Sequence, residues 1–172
     1  NPTVQLNANG DGILFFSEVA SSADNCDATP TNSIIPSTFD CSQAGTTVQT
    51  VLRSEDASGN VAFDTINVDV EDVIDPVFAQ TGSPELGANG KVGLEDAAWY
   101  TVTENCEYTI TFTPDSLDCD AITTPVSVSY VLTDASNNTV TGTVSVSAVD
   151  NLEPTVVTQD ITVSLDQDGL YS

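Results

Sequence analysis

Apolar and polar residues alternate with a period of two along much of this chain. Val126, Val128, Tyr130 and Leu132 alternate with Ser127, Ser129 and Val131, which predicts a strand with one face on a core. The stretch from Val48 to Ser54 repeats the pattern less cleanly, with Thr50 in the place of Val128. Ile66, Val68 and Val70, and again Val144, Val146 and Ala148, predict a closing strand with polar residues between the apolar ones. Ser, Thr and Val fill these segments, and β-branching favours strand over helix. Asn9-Gly10, Asn89-Gly90 and Asp168-Gly169 predict tight turns, and Asp56-Ala57-Ser58-Gly59-Asn60 a short hairpin loop. Many short strands with frequent turns make the chain all-β and point to an immunoglobulin-like β-sandwich.

The pattern occurs twice. Leu6, Ala8-Asn9-Gly10, Asn25-Cys26, Asp40-Cys41, Asp56-Ala57-Ser58 and Pro76 return as Leu86, Ala88-Asn89-Gly90, Asn105-Cys106, Asp118-Cys119, Asp134-Ala135-Ser136 and Pro154. The offset is 80 residues up to the first cysteine of each unit and 78 from the second cysteine onward. A single length change between the cysteines accounts for both values. Register held this long makes each unit a complete module in a tandem array. Residues 1–75 form a first repeat expected to be incomplete at its N-terminus, 76–153 a second, and 154–172 the start of a third, from Val163-Ser164-Leu165 to Asp168-Gly169.

Charge narrows the function. Against 26 Asp and Glu the 172 residues hold only Arg53 and Lys91, a net charge of −24. Such a surface repels nucleic acid and anionic lipid, so neither is an expected partner. No apolar run approaches the length of a membrane span, and direct membrane insertion is not expected of these residues. Modules this small bury only about 60% of their unfolded surface, and cross-links or metals often supplement them.

The four cysteines suit that need. Pairing within modules, Cys26 with Cys41 and Cys106 with Cys119, would close loops of about 16 and 14 residues and contribute roughly 3 kcal/mol each. Zinc fits poorly, because the spacings exceed those of paired-thiolate sites and the chain has no histidine. Free thiols are the remaining alternative. Disulfides imply an oxidising compartment or the cell exterior.

In an immunoglobulin-like module the loops after the second and sixth strands lie at the end facing the preceding linker. Glu104 and Asn105 fall in the first of these loops and Asp134 in the second, turned toward Glu71, Asp72 and Asp75 of the linker. Side-chain oxygens from this set, with carbonyls and water, match the six to eight hard ligands of Ca²⁺. A structural interdomain Ca²⁺ site is therefore expected. The rival reading is a solvated acidic linker with Asp134 capping its own turn. Asp24-Asn25 and Asp56 to Asn60 would face a preceding linker in the same way. Asn7-x-Asn9-Gly10-Asp11 and Asp166-x-Asp168-Gly169 loosely resemble calcium loops but are expected to be turns. Lys91 stands where Asp11 does in the first unit, and a cation does not ligate Ca²⁺.

Catalysis is not expected. Without histidine, the abundant Ser and Asp have no base to activate a nucleophile. Trp99 and Tyr100 interrupt the internal symmetry, since Val19 aligns with Trp99. A stacking platform for a glycan or protein ligand is one reading of them, and an ordinary strand position is the other.

The order Asp-Asn-Cys (24–26), Asp-Ala-Ser-Gly-Asn (56–60), the strand Ile66 to Val70 and Glu-Asp-x-x-Asp-Pro (71–76) resembles the hyalin-type extracellular repeat. It is particularly similar to the versions in very long cell-surface adhesins of Bacteroidetes, including those of flavobacterial gliding motility. Further cysteines common in that group, in the last strand and just after the linker proline, are absent here. The resemblance implies an immunoglobulin-like fold, secretion to the cell surface, neighbouring repeats as partners, and a role as stalk or adhesive filament. A ligand-binding module for a glycan or protein is the alternative.

Overall fold

A computed structural model describes residues 1–95, 98–163 and 167. It folds as two β-sandwich modules joined by residues 72–76, and no helix among the described residues is long and apolar enough to cross a membrane.

In the first module, β1 (Thr3–Gln5) runs parallel to β6 (Val61–Glu71). β6 pairs antiparallel with β5 (Thr47–Glu55), and β5 with β3 (Thr31–Ile35). The facing layer is β2 (Asp11–Ile13) against β4 (Thr38–Asp40). Alternation along these strands puts Val4, Leu6, Phe39, Val68 and Val70 between the layers, joined by Leu14. The one short helix, α1 (Phe16–Val19), follows β2.

The second module repeats the plan. β10 (Tyr108–Thr113), β12 (Val126–Asp134) and β13 (Thr139–Val146) form one sheet. β8 (Lys91–Gly93) pairs with β11 (Ser116–Asp118) in the other. Here the parallel pairing of β1 with β6 shrinks to a single bridge, Glu85 with Val149. β7 (Val77–Gln80) pairs with β9 (Tyr100–Thr103). The stretch equivalent to β9 in the first module, residues 20–23, forms no strand. Leu94, Trp99, Val128 and Val146 are almost wholly enclosed in the second core, and Phe78 stacks on Tyr130 at 4.3 Å.

One topological detail decides the cysteine chemistry. β3 and β4 are separated by two residues, yet they lie in different sheets and run the same way, each antiparallel to an upward neighbour. Together they make one descent of the module from top to bottom, roughly 30 Å at about 3.3 Å per residue. Cys26 precedes that descent and Cys41 follows it, in the 3₁₀ turn Cys41–Gln43. Cys106 and Cys119 flank β10 and β11 in the same way. A disulfide needs Cα atoms within about 7 Å. The pairing expected within modules is therefore ruled out by the strand run between its partners. Cys41 is bonded instead to Cys106, across the junction, with Cα atoms 5.5 Å apart, while Cys26 and Cys119 are free and exposed.

Residues 154–163 carry no strand and are largely exposed. Ser164, Leu165, Asp166, Asp168 and Gly169, on which the third repeat and its turn were read, lie outside the described residues.

Candidate metal centre at the module junction

Three segments meet where the bottom of the first module abuts the top of the second. The first is the linker as it leaves β6, the second the loop 104–107 between β9 and β10, and the third the end of β12 at Asp134 with the hairpin loop 135–138 that leads to β13. Each contributes one carboxylate. Asp72, Glu104 and Asp134 bring one oxygen apiece to within 4.8 Å of one another.

Local hydrogen bonding fixes each group. Asp134 Oδ1 accepts from the backbone N–H of Ser136 at 2.9 Å and of Asn138 at 2.8 Å, and its Oδ2 accepts from Asn138 Nδ2 at 2.7 Å. The same asparagine amide donates to the carbonyl of Asp72 at 3.0 Å, which ties the hairpin loop to the linker. Glu104 uses Oε1 to accept from the N–H of Asn105 at 2.8 Å and of Cys106 at 3.3 Å. Asp72 Oδ1 accepts from Ile74 N–H at 3.2 Å and from Asn105 Nδ2 at 3.1 Å. Asn105 Nδ2 also donates to Asn7 O at 3.3 Å, in the turn that closes the bottom of the first module.

With those bonds made, the second oxygen of two carboxylates is left over. Asp72 Oδ2, Glu104 Oε2 and Asn105 Oδ1 are buried and without a hydrogen-bond partner, as is Ser136 Oγ nearby. Asp72 and Asp134 are each only 5% exposed. Buried oxygens usually find a donor, and unpartnered ones call for an explanation. No cationic side chain supplies it among the described residues. Arg53 pairs with Glu55 on β5, and Lys91 lies on β8 opposite Asp118. Convergent hard oxygens of net negative charge, several of them buried and unpartnered, form a site that a divalent cation satisfies.

Of the linker acids, Asp72 alone turns in. Glu71 and Asp75 are exposed and outside the group. Extended chain alternates its side chains, so Glu71 points outward, and the Glu71 carbonyl is spent on Leu6 N–H. Asn7 and Asp11 form the turn the sequence indicates, with Asn7 Oδ1 accepting from Asn9 and Asp11 N–H.

The disulfide lies at the margin of the same site. Cys41 Sγ sits 3.2 Å from the Asn105 carbonyl oxygen. Gly10, at φ +78°, leaves room for this contact, since a Cβ there would stand 2.6 Å from Cys41 Sγ and 2.8 Å from Asn105 O. This bond was missed in the sequence, although the alternating stretch Tyr108 to Thr113 between Cys106 and Cys119 carried the signal that this pair stands apart.

Trp99 is 1% exposed and donates Nε1–H to Leu94 O at 3.0 Å. Enclosed among Phe78, Tyr100 and Phe112, it offers no face for a ligand to stack on. Tyr100 packs in the same group and donates its hydroxyl to Glu95 O.

No protein-family model matches the chain, and no curated protein is significantly similar to it. Among solved structures it is similar to a protocadherin gammaB7 EC3-6 cis-dimer, at 11% identity and a TM-score of 0.32, over 86% of this chain and 46% of that one. The chain thus spans less than half the length of that protein chain.

Proposed function

We propose that the chain is a pair of stiff spacer modules from a secreted surface filament of adhesive type, with Ca²⁺ held between Asp72, Glu104, Asn105 and Asp134 to lock the junction. One observation carries the reading: three carboxylates from three separate segments converge across a module boundary and leave buried oxygens unpartnered. Within a single module such a cluster would serve that module's stability. Across a boundary it fixes one module's orientation on the next, which is what a spacer requires.

Other features support this. The disulfide fits an oxidising exterior, and the −24 charge keeps an extended rod soluble. The residue order shared with hyalin-type repeats of bacterial surface adhesins agrees with an array of such modules. Calcium suits the site better than magnesium, because the buried donors are fixed by the fold and Mg²⁺ holds on to much of its own water.

The test is calorimetric titration of the chelator-stripped chain with CaCl₂, paired with small-angle scattering. Stoichiometric binding with a Kd of about 10⁻⁴ to 10⁻³ M or tighter, together with a longer and narrower particle, is the expected result. No heat and an unchanged scattering profile would reduce the acidic junction to a solvated hinge.

A further inference from the structure

We infer that Cys26 and Cys119 are the two unpaired halves of a second and third copy of the junction disulfide. Cys119 takes the upper cysteine of a following module of this kind, and Cys26 the lower cysteine of a preceding one, so that an array is covalently stitched from module to module. The inference stands on the disulfide and the repeat, and does not rest on the bound cation.

The repeat supplies the correspondence. Cys119 is Cys41 displaced by 78 residues, and Cys26 is Cys106 displaced by 80. The bond that exists therefore joins the lower cysteine of one module to the upper cysteine of the next. Neither free thiol has a partner within its own module, because the strand descent puts the two cysteines of each module at opposite poles.

The surroundings of each free thiol reproduce those of its bonded counterpart. Cys119 opens the 3₁₀ turn Cys119–Ile122 after Asp118, whose side chain accepts from Asp120 N–H, as Cys41 opens its turn after Asp40, which accepts from Ser42 N–H. Its sulfur lies 3.7 Å from Gly90 O, against 3.8 Å from Cys41 Sγ to Gly10 O. Gly90 has φ +69°, and a Cβ on it would stand 3.1 Å from Cys119 Sγ. At the other pole, Cys26 N–H donates to Asp24 Oδ1 at 2.9 Å, as Cys106 N–H does to Glu104 Oε1. Asp56 repeats the hydrogen-bonded loop of Asp134. Even the linker recurs, with Asp150 Oδ1 accepting from Leu152 N–H as Asp72 Oδ1 does from Ile74 N–H. The bottom of the second module and the top of the first are thus complementary halves of one interface, shown assembled between them.

Closure needs a two-electron oxidant, of which a small-molecule disulfide such as oxidised glutathione is sufficient. The Cys119 thiolate attacks one sulfur of that disulfide, forming a mixed disulfide and releasing one thiolate. The neighbouring cysteine's thiolate then attacks the Cys119 sulfur and expels the second. Two protein thiols become one disulfide, and one oxidant disulfide becomes two thiols.

The test uses the full chain and the same chain lengthened by a second copy of residues 76–153 inserted after residue 153. Both are refolded in a glutathione redox buffer with EDTA, alkylated, digested without reduction and mapped by mass spectrometry. The native chain has two alkylatable cysteines, Cys26 and Cys119. Two more cysteines enter with the extra module, yet the number alkylated stays at two, because Cys119 of the first copy is bonded to Cys106 of the second. A count of four, or a Cys106 to Cys119 bond within one copy, overturns the inference. A lengthened chain carrying Cys119→Ser in its first copy leaves the second Cys106 alkylatable while Cys41 remains bonded to the first, which separates lost pairing from lost folding. Because EDTA is present throughout, stitching that succeeds while calcium titration fails would leave this inference standing and remove the cation alone.

Discussion

Replacing Asp72 by asparagine should stabilise the chain in chelator and abolish most of the stabilisation that calcium gives the wild type. Asp72 Oδ1 is occupied by Ile74 N–H and Asn105 Nδ2, and Oδ2 faces the cluster without a partner. An asparagine that keeps Oδ1 in place puts its NH₂ at the Oδ2 position, which has no partner in the wild type. In chelator it therefore removes one charge from three carboxylates whose oxygens lie within 4.8 Å. At an effective dielectric of about 20, each like-charge pair at that distance costs up to ~3.5 kcal/mol, less where water reaches Glu104. Asp72→Asn is thus expected to stabilise the calcium-free chain by about 1–3 kcal/mol.

Calcium offsets the variant's advantage. A site of Kd about 0.1–1 mM at roughly 10 mM Ca²⁺ stabilises the wild type by about 1.4–2.7 kcal/mol, or about 3–10 °C for a chain of this size. The variant, lacking a charged ligand, gains little. Calorimetric melts in EDTA, in CaCl₂, and in NaCl of matched ionic strength separate site binding from general screening of the −24 charge. A variant less stable than wild type in EDTA that still shows the full calcium response would refute the reasoning, and would leave Asp72 as a plain cap for Ile74.

Three further outcomes follow from the same contacts. Cys106→Ser opens a loop of sequence separation 65 and should cost about 4 kcal/mol by chain entropy, read as a lower guanidinium midpoint that reduced wild type reproduces. Gly10→Ala combines φ +78° with a Cβ 2.6 Å from Cys41 Sγ, and thiol titration after refolding should find Cys41 and Cys106 unbonded in a large fraction of molecules. In the first module, Asp56 is held below its ordinary value of 3.8 by the Asn60 side chain and then by the N–H of Asn60, Asp40 by the Ser42 hydroxyl and then by its N–H, and Asp69 by the Thr47 hydroxyl and then the Asn1 amide. A lowered folded pKa contributes stability that is complete above the unfolded value and lost as pH falls through the folded one. Side-chain carboxyl shifts should accordingly show these three groups titrating below the ordinary value of 3.8, and Asp56→Asn should flatten the first module's acid dependence below about pH 4.

How much of this was legible in the sequence differs from residue to residue. Period-two alternation identified β12 and β6 because each has one face on a core, and the repeat then carried the assignment of these strands from one module to the other. The convergence of Asp72, Glu104 and Asp134 was also within reach, since the sandwich plan alone places their loops at one end. The linker shows where such reasoning stops. Glu71, Asp72 and Asp75 are equivalent as letters, and only the backbone's direction leaving β6 decides that Asp72 turns inward. The cysteines misled for a different reason. Short spacing makes local pairing cheap in chain entropy, but β3 and β4 act as a strut between the partners, and a strut is a three-dimensional fact. Thr50, buried in the Val128 position with its hydroxyl unpartnered, has no account in packing that the second module does not satisfy better with valine.

Counting constraints explains why the junction carries both a disulfide and a carboxylate cluster. The linker from Asp72 to Pro76 is one tether between the modules, and the Cys41 to Cys106 bond is a second. Two tethers fix a distance and leave rotation about the line joining them, so a chain with these alone bends like a hinge. Asn138 reaching back to the carbonyl of Asp72 adds a third contact off that line, but a single neutral hydrogen bond contributes only about 0.5–1.5 kcal/mol. A cation shared by Asp72 of the linker, Glu104 of one loop and Asp134 of another makes that third point rigid. On the proposed function the two would divide the labour: the covalent bond would set the reach of the junction permanently, and a bound calcium ion would set its angle. Withdrawal of calcium should therefore loosen the array without breaking it, and reduction should unstitch the modules while each sandwich keeps its sheets.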